Sequence, residues 1–162
     1  MTLYLLDANV LIRAHEDYYP VDRIPQFWVW LLKQAEARII KMPRVIFDEV
    51  KPSPGPLANW VKRRDVRDAL ILNEPISLNL VRHVLEHGYA PDLNDVEIEK
   101  IGKDPFLLAA ALEGADRTVV TREVSRPKQA RANRKIPNVC STLGISVIND
   151  FRLYRALNFS IP

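Results

Sequence analysis

The stretch LYLLDANVLI, residues 3–12, decides how the rest of the chain is read. LYLL is a continuous apolar run, the pattern of a strand buried on both faces of a parallel sheet. VLI reads as the start of a packed helix. Asp7 and Asn9 stand between the two, and a carboxylate buried there without a partner costs several kcal/mol. A helix cap, an arginine or a metal ion would each compensate Asp7.

The 162 residues suffice for one domain with a sizeable core. Hydrophobic residues make up 48% and charged residues 27%, which excludes a disordered chain. Lys and Arg total 23 against 20 Asp and Glu, a net charge of +3 that permits a nucleic-acid partner without requiring one. The single cysteine, Cys140, rules out an internal disulfide and fits a reducing cytoplasm. The N-terminus lacks a secretory pattern, and no apolar run approaches the ~20 residues of a membrane helix, so no membrane partner is expected.

Working outward, the sequence predicts strands over 2–6 (TLYLL), 38–43 (RIIKMP), 117–121 (RTVVT) and 145–150 (ISVIND), with ALILNEPISL ambiguous between a strand and a turn. Helices are predicted from Ala8, over 24–37, from Pro43 through RVIFDEV, over LANWVKRRDV, over LNLVRHVLEHGYA until Gly88 stops it, over NDVEIEKIG and over FRLYRALNF. DPFLLAAALEGA is a further helix, with Asp104 at its cap and Pro105 at its first position. KPSPGP, 51–56, is a break. Strands alternating with helices give one α/β domain over 1–162 with a mainly parallel sheet.

In such sheets, sites form beyond the carboxyl ends of the strands. Four acids follow strands or begin helices on that edge: Asp7, Glu49, Asp104 and Glu123. Each has a plainer reading. Asp7 and Asp104 suit helix caps, and Glu123 suits a loop. Glu49 reads as mid-helix on the apolar face of Val45 and Ile46, where a buried salt bridge would neutralise it, while Asp48 is turned about 100° toward solvent. Gathered at one edge, the four would repel, and at least one would be pushed to stay protonated near neutral pH. Mg²⁺ or Mn²⁺ removes that conflict, because hard cations prefer carboxylate oxygens and water. Such an ion is also equipment for phosphodiester hydrolysis, since it lowers the pKa of bound water and stabilises the leaving oxygen.

LLDANVLI, VIFDEV, KDPFLLAAAL and VVTRE, in that order, resemble the four successive motifs of the PIN-domain nucleases. The resemblance spans nearly the whole chain. It implies a Rossmann-like three-layer α/β/α fold with a central sheet of four to five strands. It assigns Asp7, Glu49, Asp104 and Glu123 as catalytic metal ligands, and Asn9 and Thr121 as supporting polar residues. The fourth motif departs from the family pattern, with Glu123 where aspartate is usual. The resemblance further implies Mg²⁺- or Mn²⁺-dependent cleavage of RNA, and for single domains of this length a toxin of a prokaryotic toxin–antitoxin pair, dimeric and restrained by an antitoxin protein. A non-catalytic RNA-binding module on the same fold, and an interaction protein whose acids are all caps and salt bridges, are the alternatives.

The segment REVSRPKQARANRKIP carries Arg122, Arg126, Lys128, Arg131, Arg134 and Lys135 against one acid, Glu123. An acidic pit repels a polyanion, so a cationic rim here would bring RNA phosphates in, and Arg122, Arg126, Lys128 and Arg131 are its expected contacts. A solvated charged loop is the plainer reading. Trp60, Lys62, Arg63 and Arg64 could extend the surface. His83 and His87 lack further ligands for zinc. Cys140 reads as a structural thiol, and Trp28 and Trp30 as core or dimer-contact residues.

Overall fold

The computed structural model describes residues 1–50 and 54–162. Residues 51–53 of the break read at KPSPGP lie outside it. Among the described residues, β1 (Leu3–Leu6), β2 (Ile40–Pro43), β3 (Ile71–Leu72), β4 (Arg117–Val120) and β5 (Ser146–Ile148) form one sheet in the order β3-β2-β1-β4-β5. Every pairing is parallel, with Leu5 opposite Lys41 on one side and Val119 on the other. The ambiguous ALILNEPISL segment contributes β3. The apolar runs form strands because both sheet faces are covered: Leu5, Leu6, Val119 and Val120 are fully buried.

The helices are α1 (Ala8–Arg13), α2 (Pro25–Glu36), α3 (Arg44–Phe47), α4 (Pro56–Lys62), α5 (Arg64–Leu70), α6 (Leu78–His83), α7 (Asp95–Ile101), α8 (Asp104–Leu112), α9 (Ile136–Leu143) and α10 (Asp150–Ala156). The chain steps from β1 through β2 to β3 in one direction, then crosses to β4 and β5 in the other. Right-handed crossovers therefore set α2 and α5 against one face, and α8 and α9 against the opposite face. The first layer is anchored by Trp28, which is buried, stacks edge-on against Trp60 at 4.8 Å and donates its indole N–H to the Tyr19 carbonyl at 2.6 Å. Trp60 is thus a core residue, not part of an RNA surface as the sequence suggested.

Two sequence expectations are overturned here. The helix carrying VIFDEV stops at Phe47, so Glu49 sits in the following turn, exposed, and not on a buried helical stripe. The amides of Glu49 and Val50 bond three residues back, to Ile46 and Phe47, which tightens the backbone out of the α form. Gly88 does not stop its helix either. The turn from Val84 to Tyr89 widens into π geometry and runs through it. A Cβ at Gly88 would lie 2.6 Å from Val139 Cγ1, so glycine is required there by the close approach of α9.

Candidate metal centre

The strand order reverses between β1 and β4, and the crevice at that switch point opens at their carboxyl ends. Asp7 leaves β1 there, and its N–H donates to the Val120 carbonyl at 2.9 Å. Asp7 occupies the N-cap position of α1 yet makes no capping bond. Its carboxylate Oδ2 instead accepts from the Thr121 hydroxyl at 2.9 Å. Thr121 Oγ1 also accepts the Glu123 N–H at 3.1 Å and faces Asn9 Nδ2 at 3.5 Å. Asn9 Oδ1 accepts the Arg122 N–H at 3.1 Å. The Asp-x-Asn after β1 and the Thr-Arg-Glu after β4 are therefore laced together across the switch point, with Asn9 and Thr121 orienting the acids.

Glu49 arrives from the end of β2 through α3, and Asp104 from the first turn of α8, which packs against β2, β4 and α3. Asp104 is the first helical residue, with Pro105 second; Lys103 takes the cap position and Asp104 makes no capping bond. The cap readings of Asp7 and Asp104 thus fail on geometry.

The four acids share one electrostatic field. Burial, then the charges of Asp7, Glu123 and Glu49, push Asp104 up to about 8, against the pull of Lys135. Burial and the charge of Asp7 raise both Glu49 and Glu123, with Lys103 opposing at Glu49 and Lys135 at Glu123. Asp7 is 6% exposed, and burial raises it above the usual carboxylate range despite the Thr121 hydroxyl. Among the described residues, no three His, Cys, Asp or Glu side chains stand close enough to ligate one ion directly as they lie. The donor set is oxygen-only and mutually repulsive, which suits a hard divalent cation held partly through water.

The basic segment divides on inspection. The Arg122 side chain turns inward, so it is no free phosphate contact: Nη1 donates to both oxygens of Asp150 at 2.9 and 3.1 Å, and Nη2 to the Tyr18 hydroxyl at 2.9 Å. Its guanidinium also lies over the Tyr18 and Phe151 rings, 5.3 Å from each centroid. Arg131 is tied to Asp92 at 2.7 Å and Glu97 at 2.8 Å. Arg126 and Lys128 are exposed. Cys140 is buried, and its thiol is pushed up to about 12 chiefly by that burial, which disqualifies it as a nucleophile at neutral pH. Sequence reasoning missed Asp150, the partner of Arg122 across 28 residues.

Fold and crevice together define a doubly wound parallel α/β protein with a four-carboxylate edge. Over residues 4–161 the chain matches the family model described as Domain of unknown function (DUF4411), and it belongs to that family. No curated protein and no solved structure matches it. Among the described residues, no helix is long and apolar enough to cross a membrane.

Proposed function

We propose that this chain is a divalent-cation-dependent ribonuclease of the PIN type. The observation that carries the reading is the placement of Asp7, Glu49, Asp104 and Glu123 beyond the carboxyl ends of β1, β2 and β4 and at the start of α8, around the switch-point crevice, where their charges raise one another's proton affinity. A protein gathers like charges in a partly buried cleft where something positive is to be bound. Asp7, Glu49 and Asp104 would hold Mg²⁺ or Mn²⁺, and Glu123 would complete the set. When bound, such an ion acidifies a coordinated water and offsets charge on the phosphate oxygens.

The chain's own residues do the rest. The Thr121 hydroxyl donates to Asp7 Oδ2 and fixes the carboxylate at the end of β1. Asn9 holds the backbone of the Thr-Arg-Glu turn and so sets where Glu123 stands. Exposed Arg126 and Lys128 bring the polyanion to a cleft that would otherwise repel it. The test is incubation of purified protein with total cellular RNA and Mn²⁺, with and without EDTA, followed by end-mapping. Chelator-sensitive fragments that disappear with Asp7→Asn support the reading, and RNA left intact at every Mn²⁺ concentration refutes it. Growth arrest on expression, relieved by the same substitution, tests the toxin role and justifies a search for an antitoxin partner.

A further inference from the structure

In the turn after β4, Thr121 and Glu123 serve the acid cluster, and Arg122 between them sends its guanidinium elsewhere. Nη1 holds both oxygens of Asp150, the first residue of α10, and Nη2 holds the Tyr18 hydroxyl. The Tyr18 and Phe151 rings pack against the guanidinium and against each other, edge-on at 5.1 Å. The Asp150 side chain is wholly buried, and that of Arg122 is 18% exposed. Tyr18 closes the helical run that starts directly after Asp7, formed by α1 and the π turn that continues it. The two segments that meet at this guanidinium are therefore the two that supply Asp7 and Glu123, and both are tied there to α10.

Apolar residues of similar size often replace a buried ion pair without loss of stability, so stability alone does not account for this one. What the pair adds is direction. A planar guanidinium bonded to Asp150 through one nitrogen and to Tyr18 through the other admits one orientation. On its own backbone, the Arg122 N–H donates to Asn9 Oδ1, two residues past Asp7. One residue earlier, the Thr121 hydroxyl joins Asp7 to the Glu123 N–H. We propose that Arg122, Asp150 and Tyr18 are positioning residues of the metal centre. They fix the Thr121–Glu123 turn against the segment that begins at Asp7, and so set how those two acids stand to a shared cation. The proposal rests on the metal-centre reading and deepens it. The other end of β4 supplies a contrast, because Arg117 is also held in a half-buried ion pair there, by Glu74 and the Ala110 carbonyl, at the edge of the sheet away from the acids.

Calorimetric titration with Mn²⁺ and a metal-free thermal scan of the same preparation separate position from stability. Arg122→Met combined with Asp150→Leu removes both charges, so the melting temperature should stay close to that of the unsubstituted chain. The Mn²⁺ dissociation constant should nevertheless rise about tenfold, the scale for a metal site that loses its outer supports. Tyr18→Phe keeps the ring and removes one bond. It should weaken Mn²⁺ severalfold with the fold intact, and it decides the matter alone if the double variant does not fold. Arg117→Lys is the control, which should lower the melting temperature and leave Mn²⁺ binding as it was. The proposal is overturned if either folded variant binds Mn²⁺ like the unsubstituted chain, or if Arg117→Lys weakens Mn²⁺ as much as they do. An unsubstituted chain that binds no Mn²⁺ sinks the metal centre itself, whereas Mn²⁺ bound equally by every chain sinks the positioning role alone.

Discussion

Asp7 and Asp150 are the same residue type, both buried, and both follow a strand at the same edge of the sheet, β1 for one and β5 for the other. Asp150 is 0% exposed and is matched by Arg122, whose guanidinium reaches both of its oxygens. Asp7 is 6% exposed and receives one hydroxyl, while its charged neighbours are three further acids. The protein neutralises one carboxylate from its own resources and surrounds the other with repulsion. A buried charge is a structural element where its counter-charge is built in, and a binding element where it is not.

The largest effect should come from breaking the matched pair. Arg122→Met leaves Asp150 buried without a counter-charge, which costs roughly 3–5 kcal/mol and should lower the melting temperature by roughly 6–20 °C in a thermal scan. Asp7→Asn should do the reverse for stability: the metal-free protein melts no lower, because a repelling charge has gone, yet RNA cleavage with Mn²⁺ falls roughly 10²-fold or more in an initial-rate assay. A large loss of stability in Asp7→Asn would erase the contrast between the two aspartates.

Cation binding sharpens the comparison further. Mn²⁺ at a hundred times its dissociation constant should stabilise the protein by about 2.7 kcal/mol, a rise of roughly 5–10 °C that EDTA reverses and Asp7→Asn abolishes. The pH dependence has a definite sign. Asp104 is raised from 3.8 to about 8 in the fold, so the folded state holds that proton more tightly than the unfolded chain. Its contribution to stability is complete below pH about 4 and is lost as pH rises through about 8. Metal-free melting temperatures should therefore sag across that window, and Asp104→Asn should flatten the sag.

Smaller effects test the supports. Thr121→Val deprives Asp7 of its donor and should lower stability by about 1 kcal/mol and Mn²⁺ affinity by roughly tenfold in calorimetry. Replacing Arg126 and Lys128 together by alanine should leave the fold unchanged and reduce the salt dependence of RNA binding, measured by fluorescence anisotropy, by a slope of about 1–2.

The sheet was legible because buried parallel strands announce themselves as unbroken apolar runs, and the strands read at TLYLL (2–6) and RTVVT (117–121) end within a residue of those observed. Strand-end logic placed Asp7, Asp104 and Glu123 at one sheet edge, and the fold brings them within reach of one another's charge, without setting any three acids among the described residues close enough to ligate one ion directly. Glu49 was placed at the right edge for the wrong reason: periodicity extended its helix through a turn that the backbone tightens after Phe47. Arg122 was misjudged because a guanidinium in a basic loop looks like any other, and its fate is set by an aspartate 28 residues away that only the fold brings near. The widened turn through Gly88 was invisible for a related reason, since the demand for glycine comes from α9 and not from its own segment.

The sheet's outermost members have a consequence of another kind. β3 is two residues long and β5 three. A border so brief presents almost no row of unpaired amides for a foreign strand to copy. Fibril-like growth from the native state is thereby denied an edge to template on.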